Sequence, residues 1–235
     1  MQIATLPAVA GRRWVADGFR LLRRQPGPLL GLTSLYLLLV LLSTALPAIG
    51  PLLVLLLTPG LMVGAMHVVR GIERGNLGGR QGMIEGFRAA ATRSGRPLLI
   101  LGGVNVGAAL VAFIVSSLVT DDAMTQFAIT QLLYAPVQVP LWYAPMFVAW
   151  HGLTPGKSMF FSVVAVARNK GAFLQYVITW CAIALIASLV VQALFVAFGL
   201  APLLILLVFL PLSLIMPTAV YCSFWPTYRD VVLPD

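Results

Sequence analysis

The sequence predicts an all-α fold: a polytopic membrane bundle of six transmembrane helices. Three observations carry that prediction. The charge-free stretches are long enough to cross a bilayer six times, Pro and Gly divide the longer ones into hairpins, and every Lys and Arg falls on one side of the resulting topology. Of the 235 residues, 60% are hydrophobic and 9% charged. A soluble domain carries about 25% charged residues, so this chain cannot coat a water-facing globule. A cytosolic enzyme, a secreted domain and a disordered chain are excluded on that ground.

The spans follow in order. A hydrocarbon core about 30 Å thick needs about 20 helical residues. Between Arg24 and Arg70 lie 45 uncharged residues, enough for two spans turning at Pro47-Ala48-Ile49-Gly50-Pro51. Between Arg96 and Asp121 lie 24, and between Asp122 and Lys157 lie 34, one span each. Between Lys170 and Arg229 lie 58, two spans turning at Gly199-Leu200-Ala201-Pro202. The expected spans are 28–46, 51–69, 97–120, 126–150, 172–198 and 202–225. Runs such as Leu37-Leu38-Leu39-Val40-Leu41-Leu42 lack the alternation of a barrel strand. A basic leader of 28 residues precedes the first apolar run, long for a signal-peptide n-region, so that span is read as uncleaved.

Six spans put both termini on one side. All 15 Lys and Arg lie there, with Asp17, Glu73, Glu85, Asp230 and Asp235, while the opposite turns hold only Asp121 and Asp122. Lys and Arg mark cytoplasmic loops, so the expected location is the bacterial inner (cytoplasmic) membrane, multi-pass, with both termini cytoplasmic.

An internal repeat is expected within a single integral membrane domain, 1–235. Asp17-Gly18-Phe19-Arg20 recurs 68 residues later as Glu85-Gly86-Phe87-Arg88, and each opens a segment ending in Arg and Pro. A third segment, from Lys157 to Gly171, has the same order with a looser match. Pro59, Pro145 and Pro217 stand 11, 12 and 12 residues before the next cation, which places three helix kinks at one depth. The unit of basic amphipathic segment plus helical hairpin is thus expected three times in parallel, over 9–69, 82–150 and 155–225.

The basic segments are the candidate sites. Arg13, Asp17, Arg20 and Arg24 share one helical face opposite Trp14, Val15, Gly18 and Leu22; Glu85, Arg88, Thr92 and Arg96 do the same opposite Met83, Ile84, Phe87, Ala90 and Ala91. A basic amphipathic helix with Trp or Phe on its apolar side lies in the membrane interface, and Arg grips phosphate with a planar fork. Arg13, Arg20, Arg24, Arg88, Arg93 and Arg96 are therefore candidate contacts for anionic phospholipid headgroups, for another membrane protein or for an acidic cytoplasmic partner. Their simpler role is to set topology and anchor the bundle. No nucleic-acid recognition motif accompanies the charge.

Little points to chemistry. The expected spans contain no Asp, Glu, Lys or Arg, the usual parts of a proton or charge relay. His67 and His151 have no carboxylate or Cys at ligand spacing, Cys181 and Cys222 sit in apolar runs, and no Walker loop, G-x-S-x-G or H-E-x-x-H occurs. No enzyme activity, metal or cofactor is expected. Polar residues inside spans, Asn105 among them, can bond between helices. Gly102, Gly103 and Gly107 suit close packing, and Trp142, Tyr143, Trp150, Tyr221 and Trp225 fit an interfacial belt.

The leader Gly11-Arg12-Arg13-Trp14 through Gly18-Phe19-Arg20-Leu21-Leu22-Arg23-Arg24-Gln25-Pro26, the segment Leu46-Pro47-Ala48-Ile49-Gly50-Pro51 and the turn Ile72-Glu73-Arg74-Gly75 together resemble a family of uncharacterised proteobacterial inner-membrane proteins. The resemblance covers the whole chain and implies an inner-membrane location. The chain is more distantly similar to the membrane domain of bacterial glycerophosphodiester phosphodiesterases, without their hydrolase domain, so no activity carries over. The expected function is a non-enzymatic accessory or scaffold protein in envelope or lipid homeostasis, binding anionic lipids or an acidic partner through a basic cytoplasmic face. The alternative is a transporter or channel for a lipid or neutral small molecule through the bundle.

Overall fold

The computed structural model describes residues 2–47, 49–75, 80–198 and 202–233. In chain order these form strand β1 (Gln2–Ile3), helices α1 (Ala10–Arg24), α2 (Pro26–Ser43), α3 (Ile49–Glu73), α4 (Arg80–Val119), α5 (Ala123–Leu141), α6 (Ala144–His151), α7 (Pro155–Arg168), α8 (Lys170–Phe198) and α9 (Pro202–Val231), and strand β2 (Val232–Leu233). Among the described residues six segments are long and apolar enough to span a membrane: 26–43, 49–73, 94–119, 123–151, 170–196 and 207–231. They coincide with the six expected from the charge-free runs. Their outward faces are apolar, with Leu118 82% and Val196 83% exposed, as the hydrocarbon of a bilayer requires and water would not tolerate.

Local chemistry sets several boundaries. Gln25 leaves the helical region (φ −145°, ψ 75°) because Pro26 follows it, and Pro26 then opens α2 at a position where its missing N–H costs nothing. Pro155 opens α7 in the same way. The Asp122 carboxylate accepts from the Thr125 N–H at 2.8 Å and caps α5. Gly152 ends α6 at φ 63°, the left-handed turn glycine adopts without strain. The second basic segment differs from the first: α4 runs unbroken through Pro97. An interior proline forfeits one hydrogen bond, which membrane helices tolerate where neighbours re-satisfy the backbone.

The chain packs as two compact units. The first comprises Met1–Tyr36, Val69–Gly79 and Arg168–Asp235; the second comprises Leu37–Val68 and Arg80–Ala167. In the first unit, α1 lies against α8 and α9. Trp14 is fully buried there, with its ring 5.4 Å from Phe173 and 6.1 Å from Tyr176. The chain ends pair antiparallel, Gln2 with Leu233 and Ile3 with Val232. Buried Asn169, the single residue between α7 and α8, accepts from the Leu6 N–H and donates to the Ala4 carbonyl, both at 2.8 Å.

In the second unit, α4 packs on α5 and α6 around Val63, Leu98, Leu101, Leu141, Ala144 and Val148. Pro59 and Pro217 lie inside α3 and α9, as expected. Pro145 does not kink a continuous helix. It stands in the first turn of α6, and the fourth span is broken at Trp142-Tyr143. A proline there has no N–H for the Leu141 carbonyl, so α5 ends and a new helix begins. The Ser162 hydroxyl of α7 bridges the gap, accepting from the Tyr143 N–H at 3.0 Å and donating to the Val139 carbonyl at 2.8 Å. A side-chain oxygen thus occupies the hydrogen bond that residue 143 would otherwise make to residue 139. Tyr143 itself is fully buried, and Trp225 of the first unit nearly so, so both rings pack against protein.

Candidate functional site

The basic residues of α1 occupy one side of a helix whose other side is wholly committed to packing. Ala10, Gly11, Trp14, Val15, Gly18, Leu21 and Leu22 are buried, and Arg12, Arg13, Arg20, Arg23 and Arg24 are exposed. Trp14 therefore does not dip into lipid, because α8 and α9 fill its surroundings. The repeated tetrad has a structural meaning here. A Cβ at Gly18 would lie 2.5 Å from Ser223 Cβ, so only glycine lets α1 and α9 approach this closely. The Phe19 ring lies 5.6 Å from Trp180. The same device recurs at Gly11, where a Cβ would overlap the Ala172 carbonyl of α8.

Asp17 turns inward to a node that the charge pattern did not reveal. Arg229 of α9 donates through Nη2 to Asp17 at 3.1 Å, through Nε to Asp230 at 2.7 Å, and through Nη1 to Glu73 at the end of α3. Asp17 also pairs with Arg20 one helical turn on. Trp225 Nε1 donates to the other Glu73 oxygen, and the Arg70 guanidinium lies 5.8 Å from the centroid of the Trp225 ring. Trp14 Nε1 donates to Asp230 at 3.0 Å. One guanidinium thus gathers three carboxylates from α1, α3 and α9. The Asp17 and Glu73 side chains are only 16% and 23% exposed, whereas Arg20 is 69% exposed. Glu73 and Asp230 are bound to Arg229, Asp17 is shared between Arg229 and Arg20, and the arginines of α1 stay outside. Arg229, Glu73 and Trp225 were not legible as a site in the sequence. The one available signal was that Arg229 ends a 58-residue uncharged run.

In the second unit, Arg88 and Arg96 are exposed on α4, as is Glu85. The side chain of Arg93 lies outside the described residues. Ile84, expected on the packed face, is also exposed, while Phe87 rests on Gly64 of α3. Asn105 makes the interhelical bonds its position suggested: its amide donates to the Leu55 carbonyl at 3.1 Å and its oxygen accepts from Tyr134. Gly102 faces the Leu56 carbonyl too closely for any side chain; Gly103 and Gly107 meet nothing within 4 Å. Among the described residues no three His, Cys, Asp or Glu side chains group as metal ligands.

Over 252 aligned positions the chain is 36% identical to a probable inner membrane protein of Burkholderia thailandensis, a match that covers 97% of this chain and 93% of that protein. No protein-family model matches the chain. No solved structure matches it.

Proposed function

The chain belongs to the family of that Burkholderia protein and is a multi-pass inner-membrane protein, and from this premise we propose that it is a non-enzymatic accessory or scaffold protein whose basic face holds anionic phospholipid headgroups. One observation carries the reading: the arginines of α1 are exposed while Glu73 and Asp230 are bound to Arg229 and Asp17 is shared between Arg229 and Arg20. An arginine array that outnumbers its acids, five Arg against Asp17 alone on α1, attracts an anionic surface. Each cation near such a leaflet contributes about 1 kcal/mol. The charge asymmetry supports a cytoplasmic placement of this face and of both paired termini.

The test is association of purified protein with vesicles of phosphatidylglycerol against phosphatidylcholine. The triple variant Arg13→Gln, Arg20→Gln, Arg24→Gln should lose phosphatidylglycerol preference by about a hundredfold at low salt, less at high salt. Unchanged association overturns the reading, and capture of an acidic protein by the same residues would replace it. Reporter fusions at either terminus check the orientation. A second reading, passage of a lipid or neutral solute through the bundle, draws on the cleft between α3 and α4.

A further inference from the structure

Within the second unit α3 and α4 are held close at two points and separated between them. At one point Gly102 abuts the Leu56 carbonyl; at the other the Phe87 ring covers Gly64. Between these contacts lies a cleft of about 330 Å³. One wall is Leu56, Leu57, Gly60 and Leu61 of α3, and the other is Phe87, Gly95, Leu98 and Leu99 of α4. Glycine makes the space: a Cβ at Gly60 or Gly95 would meet nothing within 4 Å. Pro59 stands beside Gly60, so α3 lacks both a side chain and a backbone donor where the cleft is formed.

We propose that this cleft holds one acyl chain of an anionic phospholipid whose headgroup rests on Arg88 and Arg96. Elimination and charge both lead there. The cleft opens past Leu57 and Leu99, which are 43% and 49% exposed on the hydrocarbon-facing surface. Water finds no polar partners among these side chains, and an empty cleft forfeits dispersion contacts on one side. A chain from the surrounding bilayer restores them. Arg96 lies in the first turn of the span that begins at Ser94, and Arg88 lies eight residues earlier, about 12 Å along the axis. At about 100° per residue, Arg88 falls inside the arc from Phe87 to Leu99, and Arg96 falls about 60° beyond Leu99. Two exposed guanidiniums therefore lie along the α4 wall of an apolar slot, Arg96 within one turn of Leu99 at the open side and Arg88 beside Phe87, both toward the basic end of the span where a lipid carries its phosphate.

The inference deepens the proposed lipid-binding face and rests on it for the headgroup, and the two fail separately. Protein purified in detergent and supplied with dioleoyl phosphatidylglycerol is read by native mass spectrometry. The wild type should retain one phosphatidylglycerol per chain in preference to phosphatidylcholine. Gly60→Leu and Gly95→Leu, which fill the cleft from opposite walls, should each lower retention about tenfold while vesicle association through α1 is unchanged. The pair Arg88→Gln, Arg96→Gln should abolish the headgroup preference. Full retention in a folded cleft-filling variant overturns the proposal, as does equal retention of phosphatidylcholine by the wild type. Phosphatidylglycerol with a photoreactive acyl chain needs no variant: it should label wild-type peptides covering 56–61 and 87–99, and labelling confined to other segments overturns the proposal.

Discussion

Trp14 and Asp230 are 216 positions apart in the chain and joined by a 3.0 Å hydrogen bond from indole to carboxylate. The bond locks the amphipathic helix α1 to the end of α9, with the indole fully buried against α8. Trp14→Phe keeps most of the volume and removes the donor, and should cost about 1 kcal/mol; Trp14→Ala should cost about 3–5 kcal/mol through the cavity it leaves. Thermal melts in detergent, followed by circular dichroism, order the two variants.

Arg229 holds Asp17, Glu73 and Asp230 together. Its side chain is 36% exposed, so solvent screens part of the attraction, yet removing it leaves three carboxylates facing one another. Arg229→Met should destabilise by about 2 kcal/mol. Adding Glu73→Gln should recover part of that loss, because one of the repelling charges goes with it. A double-mutant cycle on the melting curves measures the coupling.

Gly18 and Gly103 separate steric need from helix propensity. Gly18→Ala forces a Cβ to 2.5 Å from Ser223 Cβ, whereas Gly103→Ala meets nothing. The first should destabilise by about 1–3 kcal/mol. The second should be neutral or slightly stabilising, since alanine is the better helix former. Parallel denaturation of the two single variants distinguishes them.

Ser162→Ala should cost about 1–3 kcal/mol, because it leaves both the Tyr143 N–H and the Val139 carbonyl without the hydroxyl between them. Hydrogen exchange at the Tyr143 amide should speed up in this variant, while α4 amides stay protected.

Asp122 caps α5, and its bond from the Thr125 N–H is the main cause holding its carboxyl below the usual carboxylate range. A depressed folded value stabilises the charged form. The cap's contribution is therefore present above the ordinary carboxylate range and is lost as pH falls through the lower folded value. Asp122→Asn should retain capping and flatten this acid dependence; Asp122→Ala should lose the cap at every pH. Exchange rates of the first-turn amides of α5 between pH 2 and pH 6 follow it.

How far the sequence reaches is visible in the tetrad Asp17-Gly18-Phe19-Arg20. Periodicity places Arg20 outside and Gly18 on the packed face, and both are so. It puts Asp17 on one face with Arg20, and the two pair, but it does not reveal that Asp17 also accepts from Arg229, a partner 212 positions away. Pro145 shows the same limit. A proline predicts a disturbed helix, but whether the helix bends or breaks was settled by Ser162 reaching in from α7. The Arg-to-Pro junctions, alike in sequence, diverge at Gln25 and within α4.

The sequence by itself determined the membrane class, the six spans and the one-sided charge. These follow from transfer free energies that each residue carries wherever its neighbours lie, and from a bilayer thickness that sets segment length. Only the tertiary structure decided which charges are exposed, which glycines are compulsory and where α3 and α4 part. Those depend on side chains that meet across long stretches of chain, and close packing leaves no room for a partner to be elsewhere.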